Sequence, residues 1–312
     1  SLSNGTVLMT SYPWMPDTML RRDAEPMKIL GQALKKASYS KCKLTLSTIE
    51  GDDIYGIKAR KSSRKDEVLF IDHTMTAVTT RDNACPVCLG DMSLNAISLE
   101  CCGTQFCRSV CGKLAVTSFH AALCGKQSEF AGINEHEPAT KCRTLLLERC
   151  LAIIIQEINS QGNTPTHPLH STSLRRLTAG YHGAAIRWTY DADVVWPTQM
   201  MQSMGVDIFA DDRYDTWVIQ AIQYRLKNNA SDKTGEFYLR GVFPIYSMLN
   251  HDCSPNMKWS HIDNGSRIIV IAARDIKKGE ELFIDYGDVQ DKARPERRRI
   301  LDQWFDCECP KC

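Results

Sequence analysis

Asn250-His251-Asp252-Cys253-Ser254-Pro255-Asn256 stands directly after the apolar run Val242 to Leu249. These seven polar and small residues, ending in Ser-Pro-Asn, form a polar, turn-prone stretch. Cys253 inside this stretch gains meaning from the chain's last residues, where Cys307-x-Cys309-x2-Cys312 supplies only three thiolates. Zinc takes four soft or borderline ligands in a tetrahedron, and Cys253 is the natural fourth. A zinc held this way clips the tail, which has too little core of its own, onto an internal segment.

The remaining cysteines extend the argument. The chain has 14, more than an intracellular protein of 312 residues has reason to carry unless thiols bind metal or do chemistry. Cys42, Cys142 and Cys150 are isolated. Between them Cys85-x2-Cys88, the adjacent Cys101 and Cys102, Cys107-x3-Cys111 and His120-x3-Cys124 place eight ligands in about forty residues. Eight ligands correspond to two closed structural zinc sites with no open position for a substrate. Cys85-Pro86-Val87-Cys88 has the turn chemistry of a zinc knuckle, and His120 and Cys124 share one face of a helical turn. Adjacent cysteines do not easily fill two corners of one tetrahedron, so Cys101 and Cys102 are both candidates, with room for one of them to be an unliganded bystander. Buried free thiols and a disulfide framework are the competing readings, and four pairs in series at ligand spacing count against both.

Composition bounds the rest. With 43% hydrophobic and 24% charged residues and a formal net charge of +1, the chain is an ordinary globular protein with no global field for nucleic acid or an anionic membrane. The basic runs Arg60-Lys61-Ser62-Ser63-Arg64-Lys65 and Arg297-Arg298-Arg299 are short, the first reading as a solvated loop, so nucleic acid is not an expected partner. No window reaches the apolar length of a membrane span. The start, Ser1 to Asn4 without a methionine, reads as a trimmed chain and not a signal peptide, and a soluble protein of the nucleus and/or cytoplasm is expected.

Along the chain, residues 1–42 carry three prolines and an amphipathic stretch near Met27 to Lys36. Short strands are predicted around Leu44, Leu46 and Ile49, around Tyr55-Gly56-Ile57, and at Val68 to Ile71, separated by turns at Asp52 and Ser62. Helical spacing marks residues 143–161, through Leu146, Leu147, Cys150, Leu151, Ile154, Ile155 and Ile158, and a second helix through Tyr214, Trp217, Val218, Ala221 and Ile222. Those stripes are core. Strands return at Phe237 to Val242, Ile268 to Ala272 and Glu281 to Ile284, and Arg294 to Trp304 reads as a basic-faced helix.

These residues resemble the SET-domain protein lysine methyltransferases, in the branch where a MYND-type double-zinc module is inserted into the SET domain, as in the SMYD proteins and related fungal SET proteins. Asn250 to Asn256 looks like the signature Asn-His-x-Cys-x-Pro-Asn, and Gly279-Glu280-Glu281-Leu282-Phe283-Ile284-Asp285-Tyr286 looks like the strand ending in the family's catalytic tyrosine. Cys307, Cys309 and Cys312 look like the post-SET motif, and the order of elements matches from about residue 43 to the last. The resemblance implies an α+β fold of short SET sheets with an inserted MYND-like module, a helical insert and a post-SET zinc. Its divisions fall at 1–42 (N-terminal extension), 43–80 (first SET part), 81–130 (MYND-like module), 131–240 (helical insert), 241–288 (catalytic SET part) and 289–312 (post-SET motif).

The resemblance further implies S-adenosylmethionine as cofactor and a protein substrate presenting a lysine, histone or non-histone, in a chromatin regulator. Tyr286 would be catalytic. Gly56, Asn229, Asn250, His251, Tyr286 and Phe305 would bind the cofactor. The family's cross-braced pattern implies Cys85, Cys88, Cys107 and Cys111 on one zinc, His120 and Cys124 with at least one of Cys101 and Cys102 on the second, and Cys253, Cys307, Cys309 and Cys312 on a third. A peptide partner at the MYND-like module is a further expectation. The chain departs from the pattern in having only Gly56 where the family offers Gly-x-Gly, Leu99 where a ligand is expected beside Cys101, and no helical domain after Cys312. Two other readings keep the fold: a silent SET/MYND module that binds a partner, and an enzyme whose acceptor is a small molecule.

Overall fold

Arg267–Ala272 alternates exposed-side and core-side residues, with Ile268, Val270 and Ala272 fully buried, so it can only be the middle of a sheet. It pairs antiparallel with Met257–Ile262 on one side and Val68–His73 on the other, with a register shift between Val270 and Ile271. The computed structural model describes residues 6–7, 24–37, 41–49, 52–93, 96–126, 137–160, 167–177, 186–187, 190–302 and 305–312. A hairpin, Cys42–Ile49 with Asp52–Ala59, adds a second sheet. Asp52 is therefore a strand residue paired with Ile49 and not the expected turn.

Helix Ala24–Lys36 closes this core. Met27, Leu30 and Leu34 recur at helical spacing and are buried with Ile57, Leu69, Phe70, Phe243 and Val270. Each such side chain contributes on the order of 1.5–3 kcal/mol by leaving water. The stretch that carries no readable motif is thus bound into the main core by its apolar face.

The chain leaves the SET sheets at Thr79 and returns opposite it at Leu239. Thr76–Thr79 pairs with Leu239–Val242, which pairs in turn with Ala230–Lys233. Described residues between Thr79 and Ala230 build a second core around the 23-residue helix Pro138–Ser160, which buries Leu146, Leu151 and Ile154 among others. Helices Trp196–Ser203 and Thr216–Asn229 pack into that core through Met200, Met201, Val218 and Ile222. Asp215 caps the latter helix, accepting from the Thr216 amide at 2.6 Å, so Tyr214 lies before the helix in a 3-10 turn. Two contacts of the long helix hold the cysteine-rich region. Arg149 donates to the Pro86 carbonyl at 2.7 Å and stacks over Phe119, and Gln156 bridges the Val116 carbonyl and the Ala121 amide.

The predicted strand at Glu281 to Ile284 is shorter than its pattern. Phe283–Ile284 pairs in parallel with Asn250–His251, and Glu281 makes only an isolated bridge to Lys58. The last helix is Arg294–Leu301; Trp304 lies outside the described residues. Among the described residues no helix is long and apolar enough to cross a membrane.

Candidate active site and metal centres

The parallel pair Asn250–His251 and Phe283–Ile284 sets the geometry of the site, because it brings the polar turn after Leu249 beside the strand that ends at Tyr286. Asn256 locks the two together. Its Nδ2 donates to the Glu281 carbonyl at 2.7 Å and to Glu280 Oε1 at 3.1 Å, and its Oδ1 accepts from the Phe283 amide at 2.7 Å. Asn250 Nδ2 donates to Glu281 Oε1 at 2.9 Å.

Gly56 faces this pair from the neighbouring strand. It sits mid-strand opposite Thr45, not in a turn, and a Cβ there would lie 2.4 Å from Glu281 Oε1 and 2.8 Å from Asn250 Nδ2. Close approach, not backbone freedom, is what position 56 requires of glycine.

His251 has a nearly inaccessible side chain. Its Nδ1 accepts from the Tyr286 amide at 2.9 Å, so the ring proton lies on Nε2, 3.2 Å from Cys253 Sγ. Burial holds this imidazole below the usual histidine range and favours the neutral ring, against the opposing carboxylates of Asp285 and Asp252. The ring therefore links the tyrosine's backbone to a cysteine of the third cluster, while the His251 backbone remains part of the strand pair. Tyr286 donates its hydroxyl to the Leu249 carbonyl at 2.5 Å. Phe305 completes a triangle of rings, 5.7 Å from His251 and edge-on to Tyr286 at 6.0 Å.

Asn229 ends helix Thr216–Asn229, is buried, and donates Nδ2 to the Arg225 carbonyl at 2.7 Å. Direct contacts thus join Gly56, Asn250, His251, Tyr286 and Phe305, while Asn229 stands at the start of the strand Ala230–Lys233.

Tyr246 is a site neighbour that the sequence reading missed. Burial, and next the nearby Tyr286, push its phenol well above its ordinary value. Trp259 packs on it at 5.0 Å and His261 lies against Trp259 at 5.5 Å. The available signal was the alternation Met257, Trp259, His261 immediately after Asn256, which marks a strand with an aromatic face.

Three clusters are able to bind zinc. Cys85, Cys88, Cys107 and Cys111 form one; Cys101, Cys102, His120 and Cys124 another; and Cys253, Cys307, Cys309 and Cys312 the third, with the ligand atoms of each group within 4.8 Å of one another. Two sulfurs on one tetrahedral zinc sit roughly 3.8 Å apart, given bonds of about 2.3 Å. Here Cys88 and Cys107 are 3.3 Å apart, Cys107 and Cys111 3.6 Å, and Cys253 lies 3.9 Å from Cys307 and 3.4 Å from Cys312.

The second cluster brings both adjacent cysteines together with His120 and Cys124. Both Cys101 and Cys102 approach His120 Nε2, at 3.2 and 3.6 Å, with their sulfurs 3.8 Å apart. Cys101 and Cys102 occupy a turn that Gly103 follows at φ +73°, a conformation suited to glycine. Hydrogen bonds from the Thr104 hydroxyl and amide pull Cys102 down to about 6, whereas its cysteine neighbours, Cys101 first, push Cys124 up to about 11. Crowded thiols of this kind suit a cation in their midst.

A model of the SET domain family matches residues 54–287, well over half of the chain, and the chain belongs to that family. Histone-lysine N-methyltransferase SMYD3 of Homo sapiens is 41% identical over 73 residues, which is 23% of this chain and 17% of that protein. Protein-lysine N-trimethyltransferase SMYD5 of Mus musculus is 36% identical over 108 residues, 32% of this chain and 25% of that one. A yeast protein described as potential protein lysine methyltransferase SET6, from Saccharomyces cerevisiae, is 40% identical over 88 residues, 28% and 23% of the two chains. The match thus spans a quarter or less of the length of each of these relatives. Among solved structures, the SET domain of LSMT bound to lysine and AdoHcy is similar over 91% of this chain and 57% of that one, with a TM-score of 0.41 and 10% identity.

Proposed function

We propose that the chain is an S-adenosylmethionine-dependent methyltransferase whose acceptor is the side-chain amine of a protein lysine. The observation that carries this reading is the joined set Asn250, His251, Tyr286 and Phe305. Its supports are membership of the SET family and relatives named as lysine methyltransferases. The attacking amine must be neutral, although a free lysine holds its proton to about pH 10.4. Desolvation is what lowers that value, and buried Tyr246 with half-buried Trp259 packed on it, beside Tyr286, offers surroundings of lower dielectric.

The cofactor would supply an electrophilic methyl on a sulfonium. The chain's own residues do the positioning. Asn250, held by Glu281, presents its amide across the gap at Gly56, Phe305 offers a ring face for the adenine, and Asn229 is a further contact. Tyr286 directs its hydroxyl at the methyl and orients the amine for in-line attack, and its contact with the Leu249 carbonyl fixes that direction. With the cofactor bound, its sulfur would keep the electron pair of the broken carbon–sulfur bond as the methyl passes to the neutral amine held at Tyr286, and the product's proton would pass to water.

The three metal clusters would hold structural zinc. Those of the cysteine-rich region shape a MYND-like module that would take a peptide partner, and that of Cys253 would tie the tail against the site. The divisions 1–42, 43–80, 81–130, 131–240, 241–288 and 289–312 follow from the same reading, as does a place in the nucleus and/or cytoplasm. The test is transfer of labelled methyl from S-adenosylmethionine to extracts and histones by zinc-loaded protein, followed by amino-acid analysis. Label in methyl-lysine supports the reading; label only in small molecules, or none, removes it in favour of a small-molecule acceptor or a silent binding module.

A further inference from the structure

The run Arg60-Lys61-Ser62-Ser63-Arg64-Lys65 is not a solvated loop on its own. Ser63 and Ile276 exchange backbone hydrogen bonds at 2.9 and 2.8 Å, and both are buried. The Lys278 amide donates to Ser62 Oγ at 3.1 Å, the Lys65 amide to Asp275 Oδ1 at 2.8 Å, and the Gly279 amide to the Ala59 carbonyl at 2.8 Å. These bonds sew Arg274-Asp275-Ile276-Lys277-Lys278 alongside the first run, although the two lie about two hundred positions apart in sequence.

The result is a ridge with seven cationic side chains, Arg60, Lys61, Arg64, Lys65, Arg274, Lys277 and Lys278, and one acid, Asp275. All seven are exposed. Paired backbones run about 4.8 Å apart, which keeps neighbouring charges on the ridge within the roughly 10 Å over which salt fails to screen them. Two flanking acids are engaged off the ridge, Asp66 with Lys258 at 2.5 Å and Glu67 with Lys41, while Glu280 pairs with the ridge's own Arg274 at 2.5 Å and offsets one of the seven charges. Against a whole-chain charge of +1, this is a strong local accumulation of positive charge.

We propose that this ridge docks the phosphate backbone of a duplex nucleic acid, without reading bases. An acidic peptide of comparable charge would draw its affinity chiefly from buried anchor residues. The large hydrophobic side chains exposed among the described residues, Ile97, Val110, Leu114, Val116, Tyr190 and Phe209, all lie elsewhere. A surface of charge alone is suited to phosphates, where counterion release supplies the binding free energy. The ridge also adjoins the site. The Ala59 amide donates to the Glu280 carbonyl, Lys58 bridges Glu281, and Glu281 holds Asn250. A duplex lying there sits beside the reaction centre, as a lysine on a nucleic-acid-bound protein would require.

The probe is a labelled 20-base-pair duplex, in two unrelated sequences, titrated with the zinc-loaded chain between about 50 and 200 mM salt. Four to five phosphate contacts predict a slope of log K against log salt near −4, at about 0.9 per contact, and equal affinity for both sequences. The variant Lys61→Glu, Arg64→Glu, Lys277→Glu, Lys278→Glu, which touches none of Gly56, Asn250, His251 or Tyr286, is expected to bind at least about thirtyfold more weakly at low salt, with an unchanged melting temperature. If the reversal unfolds the chain, Lys61→Gln with Lys278→Gln is expected to reduce the slope by about 2. The proposal is overturned if the parent chain leaves the duplex unbound at low salt, if the variants bind as the parent does, or if a polyglutamate of matched charge displaces the duplex at equal concentration.

Discussion

A single methyl group at position 56 probes the site without adding or removing any polar atom. In Gly56→Ala the new Cβ would stand 2.4 Å from Glu281 Oε1, 2.8 Å from Asn250 Nδ2 and 3.2 Å from Glu281 Cδ. All three are at the ends of side chains, and both residues are only partly buried, so they can swing away and the strand pairing need not break. The displacement does break the 2.9 Å hydrogen bond between Asn250 and Glu281. Overpacking costs about 1–3 kcal/mol, and the low end applies where the obstacle can rotate. A loss of about 1–2 kcal/mol corresponds to a fall of a few degrees in melting temperature.

Cofactor affinity is expected to fall more sharply, because a bond to a carboxylate is worth about 1.5–3 kcal/mol and its loss frees the Asn250 amide from its bound direction. Roughly ten- to a hundredfold weaker binding follows, if about 1.4 kcal/mol or more of that ordering is lost. Scanning calorimetry and titration with S-adenosylmethionine measure the two quantities separately. Asn250→Ala is expected to match the affinity loss, and the double variant to bind no more weakly than Asn250→Ala alone. Affinity within twofold of the parent, with the melting temperature lowered, would refute the reasoning and leave Gly56 as a packing residue.

Other consequences are open to measurement. His251→Ala is expected to cost about 2–4 kcal/mol, because it leaves the Tyr286 amide without its acceptor and removes the neighbour of Cys253, and it should speed zinc release to a chelator from one site of three; release kinetics identical to the parent's would contradict the link. Asp72 is fully buried and accepts from the Ile245 and Tyr246 amides at 2.8 Å each, yet burial outweighs those bonds and pushes its carboxyl up to about 7. The folded chain therefore holds this proton more tightly than the unfolded one, so the contribution is present below about pH 4 and is lost as pH rises towards 7, by roughly 4 kcal/mol at most. Denaturation of Asp72→Asn across that range should lack this decline, and parallel curves for the two proteins would exclude it. Cys253→Ser is expected to lower bound zinc from three equivalents to two and to expose residues after Arg294 to protease while the helical core stays protected; uniform digestion would count against a clip confined to the tail.

Much of the site was legible in the sequence because its chemistry is local. Cys85 to Cys124 and Cys307 to Cys312 carry ligand spacing within one or two turns of chain, and the stretch Asn250 to Asn256 names its own polar groups. What spacing could not supply was register. The parallel pairing of Asn250–His251 with Phe283–Ile284 depends on long-range packing, as does the close approach that Gly56 permits. His251 was read as a cofactor contact, yet its ring is committed between Tyr286 and Cys253, a tertiary fact invisible in Asn-His-Asp-Cys. Whether both Cys101 and Cys102 join the second cluster was left open by their adjacency, because spacing alone does not say where neighbouring side chains converge. The helix Ala24–Lys36 was visible as an amphipathic stretch, but nothing in its sequence names the sheet it covers.

The central claim is that Tyr286 acts in transfer of a methyl group to a lysine amine. Single-turnover methyl transfer by the parent chain and Tyr286→Phe, read beside calorimetric cofactor affinity and melting temperature, tests it most directly. The hydroxyl works mainly in the transition state, so the rate is expected to fall roughly ten- to a thousandfold, with affinity and stability nearly unchanged. An equal rate in the folded fraction, with stability reduced, would make Tyr286 a structural residue and contradict the account.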